Sequence, residues 1–513
     1  MSRYNLIDEP WIPVRDLNGK LVDLGIKDVL LRSRELSAIE DPSPLVVASL
    51  HRFLLAVLYR ALKGPTDIEH AKRLFRDGFP ADEIVDYLEH WRGRFFLFDD
   101  KYPFGQIPSF TPKTWRAWTA LAAEHNADNA KVLFDHVSVE APGAIPFANC
   151  VRWMLATQTF ALSSGKSELA HTGTAPSASA LMVLPIGHNL ADTLAYALVP
   201  QNREIIADDI PIWEREPETV ASLKDKIERT ASGWADRYTW RARAIRLEPH
   251  AQLDGCVSRL ALASGVSFEP GTERPDPMLG YRLDEKKGKL ALQFRQRGLW
   301  RNFDSILPDS TGLAPLVIAN AVLLSRLDRR RFPCAVMALG QKNDPPNPTL
   351  EFWKMEQFAL PEALETDGQI RGAIRRLLDA AEEGGRALDS ACFLYCQHLL
   401  VRVERTGGLG KQEKDTIREM SRGLGIATRY WSTLEADFHR MLQEYAVESD
   451  FDGIHAQWLR HVCEALKSSW ATLKTSVSSG NAWAIRALVK AEGRLHQQIA
   501  ELDKNIRSLE EVT

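Results

Sequence analysis

The sequence predicts an α+β fold, with a large mixed N-terminal domain of short strands and helices followed by an all-α C-terminal bundle of the four-helix type. The chain has 513 residues, more than one ordinary hydrophobic core accommodates, so two or more domains are expected. Extended and helical patterns alternate as far as residue 360, whereas only helical patterns follow Pro361. We therefore expect a mixed domain over residues 1–360 and a helical bundle over 361–513.

Near the N-terminus, two short apolar segments indicate an extended hairpin, Asn5–Arg15 and Leu21–Leu24. Pro44 then opens and Gly64 closes a segment with apolar residues at helical spacing, and Ile68–Leu88 is also predicted as helix.

The middle of the chain continues to mix helices and strands. Helices are predicted at Cys150–Leu162 and Ala314–Arg331, and strands at Trp240–Leu247, Val257–Ala263 and Ala335–Leu339.

Five helical patterns separated by glycine-rich or polar breaks make up the predicted bundle: Gln369–Leu400, Lys411–Arg422, Ala427–Ala446, Gly453–Val477 and Trp483–Arg507. Basic residues occur from Arg402 through Arg429, with acidic residues among them. They form either a face toward a nucleic-acid strand or a partner, or an ordinary solvated surface.

Composition excludes several classes of protein. The formal net charge is −4, so nucleic-acid contact requires local basic patches. The six cysteines are scattered without a C-x-x-C pair, which indicates reduced core thiols and neither a disulfide framework nor a zinc site. The apolar runs are expected to be too short or too interrupted to cross a membrane, and no signal peptide is predicted. We expect a cytoplasmic protein.

A proline-rich segment, Gly340–Pro361, is predicted to form a stiff, extended loop. Pro345, Pro346 and Pro348 surround Asn347, and each proline fixes its own φ and biases the preceding residue away from helix. Such a loop presents Asn347 on a rigid projection suited to insertion. The alternative is a rigid surface turn without that role.

Several short motifs occur in a fixed order along nearly the whole chain. They are WIPV at Trp11–Val14, RFFLFD at Arg94–Asp99, LFDH at Leu133–His136, DIPIWERE at Asp209–Glu216, DPMLGYR at Asp276–Arg282, LWRNFDSIL at Leu299–Leu307 and FWKME at Phe352–Glu356. No single motif is specific, but their joint order is. Taken in that order, they resemble the large subunit (CasA family) of the type I-E CRISPR Cascade complex.

The resemblance implies a non-catalytic subunit that works with other Cascade subunits and CRISPR RNA and needs no cofactor or metal. Such a subunit recognises the protospacer-adjacent motif in double-stranded DNA, helps to open the duplex for guide pairing, and recruits a nuclease-helicase. The helical bundle is expected to help hold the displaced strand. In such systems base pairing reads the long target and protein reads only the short motif.

Guide-RNA and complex docking is implied for Phe134, with its neighbours Asp135 and His136, in the segment Asn126–His136. From the residues alone, Leu133 and Phe134 also suit a buried strand. An Asp-His pair invites a catalytic reading, but neither a nucleophile context nor a second histidine at ligand spacing accompanies it.

Minor-groove contact is implied for Ser163, Ser164, Gly165 and Lys166. Small residues let the backbone approach a groove floor, and the lysine adds charge attraction. The family has a glycine-rich loop at this place, whereas this chain has serines at 163 and 164.

Further DNA contacts are implied downstream. Arg274 stands in the turn-rich loop Pro270–Pro277, where some family members use a lysine. Lys286, Lys287 and Lys289 lie on a predicted hairpin turn, within a stretch to Arg301 that has no acidic residue. Such a run is more often a solvated face, and the family's lysine pair at this hairpin favours the DNA reading.

Asn347 aligns with the position where the family usually has a glutamine wedge that splits the first base pair of the target. Gln341 and Lys342 lie close by in sequence and could share the role.

Two other functions are compatible with the residues. One is a metal-dependent nucleic-acid hydrolase that uses Asp135 and His136, or Glu351 and Glu356. The other is a pure scaffold that binds protein but no DNA.

Overall fold

The computed structural model describes residues 4–122, 125, 142–162, 169, 173–269, 275–286, 288–293, 298–308, 313–343, 350–365, 369–400, 409–445, 450–477 and 480–511. The chain divides into two compact units: unit 1 comprises Met1–Leu299 and Ser305–Gln357, and unit 2 comprises Trp300–Asp304 and Phe358–Thr513. The sequence prediction placed the division after residue 360.

Unit 1 mixes short strands with helices. Its strands are β1 Ile12–Asp16, β2 Leu21–Leu24, β3 Leu36–Ile39, β4 Arg116–Ala117, β5 Ile145–Pro146, β6 Met182–Ile186, β7 Glu228–Arg229, β8 Arg243–Pro249, β9 Cys256–Ser264, β10 Ser267–Phe268, β11 Tyr281–Asp284, β12 Gly288–Ala291, β13 Ala335–Asn343 and β14 Leu350–Phe358. Its helices are α1 Ile26–Leu31, α2 Pro44–Ala61, α3 Ile68–Asp77, α4 Ala81–His90, α5 Phe147–Phe160, α6 Leu190–Ala197, α7 Arg203–Asp208, α8 Val220–Leu223, α9 Trp234–Tyr238 and α10 Leu316–Ser325.

The N-terminal hairpin is present as β1 and β2, which pair antiparallel with Val14 opposite Val22. A third strand, β3, which the sequence did not reveal, pairs with the other edge of β1.

Helix α2 is the central helix of unit 1. Ser43 caps its first turn by accepting from the amide of Val46, and Pro44 occupies the start, where no amide hydrogen is needed. By length and composition α2 could span a membrane, contrary to the sequence expectation, yet 89% of it is buried inside the protein. Its Arg52 forms a buried ion pair with Asp276. These contacts are those of a core helix.

The predicted helix Ile68–Leu88 is two helices, α3 and α4. Gly78 has a φ of 94° at the end of α3, a conformation that only glycine adopts easily, and Pro80 immediately precedes α4. The helix prediction overlooked this pair of breaking residues.

Strands β6, β13 and β14 form one sheet in the order β14-β13-β6. Strand β13 begins at Ala335 as predicted, pairs antiparallel with β6, and continues to Asn343. Most of Gly340–Pro361 is therefore strand rather than extended loop, and only residues 344–349, which include Asn347, lie between β13 and β14 and outside the described residues.

Unit 2 is a bundle of long helices, which confirms the predicted fold class. Its helices are α11 Ile370–Leu400, α12 Lys411–Gly423, α13 Ile426–Glu444, α14 Phe451–Ser476 and α15 Ala482–Glu510.

The bundle core depends on a close approach between α11 and α13. A side chain at Gly385 of α11 would place its Cβ 2.4 Å from the Trp431 ring. The hydroxyl of Tyr430 donates to the carbonyl of Ala381 over 2.8 Å, so the contact is hydrogen-bonded as well as tightly packed.

Candidate nucleic-acid interface

A backbone hydrogen bond joins the chain before and after the segment that contains the predicted groove-reading residues. Helix α5 ends at Phe160, and the amide of Ala175 donates to the carbonyl of Ala161 over 2.8 Å. Ser163–Lys166 lie between these residues in sequence but outside the described residues. Their contact with DNA stays a prediction.

Trp240 packs against the residues that follow this segment. It is fully buried and packs in one cluster with Ala175, Ala178 and Val266. Its indole N–H donates to the carbonyl of Val266 over 3.0 Å, and its ring meets that of Phe268 edge-on at 5.0 Å. Because Phe268 leads into the second predicted DNA-contacting loop, one tryptophan supports the bases of both loops.

Arg237 contacts the second loop on both sides. Its guanidinium carbon lies 4.9 Å from the ring centroid of Phe268, and its Nε donates to Asp276 over 2.9 Å. Arg52 approaches the same carboxylate to 2.8 Å. Arg274 lies outside the described residues, so the structure describes the ends of its loop and leaves its DNA contact a prediction.

Arg243 and Gln158 fix the edge of β8 beside the first loop. The backbone amide and carbonyl of Arg243 exchange two 2.8 Å hydrogen bonds with the Gln158 side chain. The buried Arg243 guanidinium donates to the carbonyls of Leu162 and of Gly173, the latter over 2.9 Å. The Arg243 side chain therefore holds both Leu162 and Gly173, which precede and follow the predicted groove-reading residues in sequence.

Gln341 lies in the interior, 2% exposed, near the end of β13. Its amide nitrogen donates to the carbonyls of Phe160, over 2.5 Å, and Ala178, over 2.8 Å. This burial contradicts the prediction that the side chain of Gln341 contacts DNA. Its observed contacts connect β13 to the base of the first loop.

Lys342, the next residue, points to the other face of the strand. Its ammonium pairs with Glu351 of β14 over 2.6 Å and lies 5.9 Å from the ring centroid of Phe352. Lys342 is half-buried and ion-paired, and its contact with DNA stays a prediction, as does the wedge role of Asn347.

The predicted basic hairpin is present as β11 and β12, with Asp284 opposite Gly288. Lys286 and Lys289 are exposed, while the side chain of Lys287 is outside the described residues. The hairpin is connected to the chain that follows the first loop. The carbonyl of Leu292, just after β12, accepts from the amide of Leu181 over 2.7 Å, and Leu181 lies three residues after Ala178 of the Trp240 cluster.

The basic run does not continue as one exposed face. Arg301 forms an ion pair with Glu382 and stacks on the Trp431 ring, with its guanidinium carbon 3.4 Å from the ring centroid. Arg295 and Arg297 lie outside the described residues.

The predicted guide-docking segment has a described aromatic base. Trp118 and Trp153 stack with centroids 5.2 Å apart, and His125 packs edge-on against both rings. The indole N–H of Trp118 donates to the carbonyl of Gly143 over 3.1 Å. Phe134, Asp135 and His136 fall between His125 and Gly143, outside the described residues, and their docking role stays a prediction.

The carboxylates that a hydrolase would need have structural partners where they are described. Glu351 pairs with Lys342. Glu356 accepts from the amide of Leu299 over 2.9 Å and pairs with Lys354. Among the residues that the structure describes, no group of three His, Cys, Asp or Glu side chains is arranged to hold a metal ion.

Helix α12 of unit 2 has a basic face. Lys411, Lys414, Arg418 and Arg422 are all exposed, and their spacing of three or four residues puts them along one side of the helix. Only Ile417 is buried among the α12 residues. Asp415, four residues after Lys411, lies on the same side and pairs with Arg418 over 3.0 Å. Whether these charges meet a nucleic-acid strand or only solvent therefore stays open, as in the sequence.

Sequence reasoning missed the residues that hold the loops together. Trp240 and Arg243 occur in the segment Trp240–Leu247, which predicted only a strand, and Arg237 precedes it in helix α9. A usable signal was the presence of arginines among alanines and aromatics, since a charged residue inside an apolar strand must find buried partners.

The comparisons with known proteins agree with this architecture. The sequence model of the family described as CRISPR-associated protein Cse1 matches residues 5–468. A relative from Thermus thermophilus, described as CRISPR-associated protein CasA/Cse1, is 32% identical over 523 residues and covers 99% of both chains.

Solved structures show the same fold. Thermus thermophilus CasA (Cse1) matches with a TM-score of 0.82 and 29% identity, covering 98% of this chain and 100% of that one. A chain of a CRISPR RNA-guided surveillance complex matches with a TM-score of 0.74 and 18% identity, covering 96% of this chain and 99% of that one. The chain is therefore a CRISPR-associated protein that combines a mixed α+β unit with a helical bundle. The chain belongs to the Cse1 (CasA) family.

Proposed function

We propose that this chain is the large, non-catalytic subunit of a CRISPR RNA-guided surveillance complex that acts in the cytoplasm. It reads a short motif beside the target in double-stranded DNA and helps to open the duplex so that the guide RNA can pair. It then recruits a nuclease-helicase to the opened target. Membership of the Cse1 family supports the assignment.

The observation that carries the DNA-reading part is the shared base of the predicted DNA-contacting segments. Trp240 supports the described ends of the loops that contain Ser163–Lys166 and Arg274. Gln341 connects the first of these loops to the strand that leads to Asn347. Three segments that are far apart in sequence are thus held by buried side chains that contact one another's neighbours. This arrangement suits a site in which several segments together read one short stretch of DNA.

The proposed mechanism begins with attraction and reading. Exposed lysines such as Lys286 and Lys289 draw the duplex in through its phosphates, so this step depends on salt. Ser163–Lys166 and Arg274 then read the minor groove. The code of that groove is degenerate, so several motif sequences are expected to be accepted.

Opening follows reading. Asn347 replaces stacking at the first base step, where unstacking costs roughly a few kcal/mol. The displaced strand then follows the basic face of α12, whose exposed side chains suit a phosphate backbone. Pairing with the guide extends from the opened step.

The test compares guide-loaded complexes with and without this chain on duplex targets carrying every variant of the adjacent motif. With the chain, affinity is expected to vary with the motif, by about 1–3 kcal/mol for each unfavourable base pair. Without it, the dependence on the motif should disappear. An unchanged motif profile in the complex that lacks the chain would reject DNA reading and favour the scaffold function.

The hydrolase alternative is tested by a separate cleavage assay. Robust cleavage of labelled DNA by the purified chain with magnesium or manganese, abolished by Asp135→Ala or Glu356→Ala, would overturn the non-catalytic assignment. We expect no such cleavage.

A further inference from the structure

Helix α3 of unit 1 ends among arginines that come from separate parts of the chain. Arg34 donates to the carbonyl of Arg76 over 3.0 Å, and Arg331 donates to the carbonyl of Phe75 over 2.7 Å. The guanidinium carbon of Arg331 also lies 3.6 Å from the centroid of the Phe75 ring. Cations stabilise the last turn of a helix through its unpaired carbonyls and its dipole, so Arg34 and Arg331 have a structural role.

Three further arginines lie in the same region without such contacts. Arg73 of α3, Arg326 directly after α10, and Arg330 in the turn that follows are all exposed. Helices α3 and α10 share one apolar core, and Arg331 connects the turn after α10 to the end of α3. Within the described part of the chain, none of these three exposed arginines forms an ion pair.

The nearest exposed carboxylate, Asp77, shows that several of these side chains lie close together. Asp77 pairs with Arg76 over 2.8 Å. The hydrogen bond from Arg76 lowers its pKa most, and the charges of Arg34 and Arg73 lower it further. One carboxylate thus lies among three arginines.

Two other aspartates of this region are already engaged. Asp192 is buried and pairs with Arg331, and Asp328 accepts from the amide of Arg330 over 3.1 Å. We call the arginines of this region the arginine surface: Arg34, Arg73, Arg76, Arg326, Arg329, Arg330 and Arg331. Because the formal net charge of the whole chain is −4, this surface is a local concentration of positive charge.

The composition of the arginine surface favours a protein partner over a nucleic acid. The neighbouring lysine, Lys72, is half-buried and pairs with Glu69 over 2.7 Å. Leu327 is 48% exposed between Arg326 and Arg330 in sequence. Arginine is enriched and lysine depleted at protein interfaces, whereas both contact phosphates. An exposed leucine among these charges suits contact with an apolar side chain.

The arginine surface also lies away from the described residues that support the predicted reading loops. Strand β13 begins at Ala335, four residues after Arg331, and Gln341 contacts the base of the first loop from near the other end of the strand. At the rise of a strand, Ala335 and Gln341 are about 20 Å apart.

We propose that the arginine surface docks a second protein through an acidic surface of that protein. Carboxylates of the partner pair with Arg73, Arg326 and Arg330, and an apolar side chain of the partner covers Leu327. Planar guanidinium groups suit this role because each can hold a carboxylate through two hydrogen bonds. The inference does not rest on the proposed function, since it needs no contact between the chain and DNA.

The test measures binding of a labelled helical peptide, with glutamates and leucines along one face, to the full chain at low salt. Glutamine at Arg73, Arg326 and Arg330 should weaken binding about tenfold, since exposed ion pairs contribute modestly and salt screens them. The arginines that cap α3 are kept, so the fold should not change. The same peptide with glutamine in place of each glutamate should not bind. Failure of the wild-type chain to bind the acidic peptide would overturn the proposal.

The matched control replaces three exposed cations of α15, Arg494, Lys504 and Arg507, by glutamine. It removes the same charge from the chain and should change the affinity by less than about twofold. Equal losses in the two triple variants would mean that the peptide responds only to net charge, and the proposal would be rejected.

A motif-free DNA duplex and Leu327→Ser separate a protein partner from a nucleic acid. Leu327→Ser should weaken peptide binding about threefold, because an apolar contact is lost, and leave duplex binding unchanged. The triple variant at Arg73, Arg326 and Arg330 should weaken peptide binding much more than duplex binding. An equal loss for the duplex would identify a phosphate-binding surface instead. That outcome, or unchanged peptide binding with Leu327→Ser, would overturn the proposal.

Discussion

Two arginines share a single carboxylate, Asp276, at the described end of the loop that contains Arg274. Asp276 is fully buried, and Arg52 and Arg237 approach it to 2.8 and 2.9 Å. Burial raises the pKa of Asp276, but the positive charges of Arg52 and Arg237, with hydrogen bonds from Arg52 and the Met278 amide, lower it by more, so the net shift is downward. The ionised carboxylate is therefore the form that the folded chain stabilises.

Asp276→Asn should destabilise the chain by about 3–5 kcal/mol, because it leaves two buried guanidinium groups without a counter-charge. A carboxyl with a depressed folded pKa stabilises above its unfolded pKa, and this stabilisation is lost as the pH falls through the folded value. The difference in unfolding free energy between wild type and variant should thus narrow below about pH 4.

Denaturant unfolding as a function of pH measures this difference. Asp254→Asn, at an exposed position, is the control and should change little. A difference that does not depend on pH would show that the charge of Asp276 is not what stabilises the fold.

The lysines of the β11–β12 hairpin are proposed to contact DNA phosphates. Replacing Lys286, Lys287 and Lys289 by alanine should weaken DNA binding equally for all motif sequences. The slope of log affinity against log salt should flatten by roughly two to three units, since each phosphate contact contributes about one.

Binding of the assembled complex at several salt concentrations measures that slope. Alanine at three exposed lysines elsewhere in unit 1, Lys20, Lys101 and Lys224, is the matched control. If the hairpin variant keeps the wild-type slope, these lysines do not contact DNA phosphates.

At the scale of elements, Gly385 allows α11 to approach α13. Gly385→Ala should destabilise the bundle by about 1–3 kcal/mol, because the added methyl group would overlap the Trp431 ring. Gly493→Ala in α15 is the control. It has open space around it, and alanine's better helix propensity should stabilise by up to about 1 kcal/mol.

Thermal unfolding of the two variants should therefore move in opposite directions. A stabilising Gly385→Ala would mean that the α11–α13 contact is looser than the structure indicates.

The basic face of α12 is expected to act after the duplex opens. Glutamine at Lys411, Lys414, Arg418 and Arg422 should shorten the lifetime of the opened complex without changing initial capture of the motif. A target that lacks the displaced strand should be insensitive to these substitutions, since the phosphates that the face would hold are missing.

Dissociation rates on targets with and without that strand make the comparison. Glutamine at Arg494 and Lys504, exposed on α15, is the control. Equal acceleration on both targets would place the α12 face outside the path of the displaced strand.

The sequence predicted helices better than strands, for physical reasons visible in particular elements. Helix α2 and the five bundle helices have repeating apolar positions and recognisable ends, so their bounds lie close to the predicted ones. Strand β14 was missed because the prolines before it suggested a loop, and its alternation of charged and aromatic residues indicates a half-buried strand only once β13 is beside it.

The site was less predictable than the fold. Its exposed basic residues follow from charge pattern and family resemblance, which are local properties. The role of Gln341 could not be inferred, because its partners at Phe160 and Ala178 are distant in sequence. A buried amide beside a lysine looks the same in sequence as an exposed one.

At the scale of the whole molecule, the near-neutral charge fits a subunit that meets DNA through local surfaces. The net charge of −4 coexists with exposed lysines on the unit 1 hairpin and a basic face on α12 of unit 2. Local patches of this kind give salt-dependent attraction without making the whole protein a general polyanion binder.

The central claim is that this chain reads the motif and opens the duplex beside it, and R-loop formation rates on intact and pre-opened targets test it most directly. On intact duplex, complexes lacking the chain should be much slower than complete ones, and complexes with Asn347→Ala should fall between, by about 1–3 kcal/mol of lost unstacking energy. On a target with a bubble beside the motif, the Asn347→Ala defect should disappear and the missing-chain defect should shrink sharply. Equal slowing on both targets would contradict the claim, because it would mean that the chain supports binding but takes no part in opening.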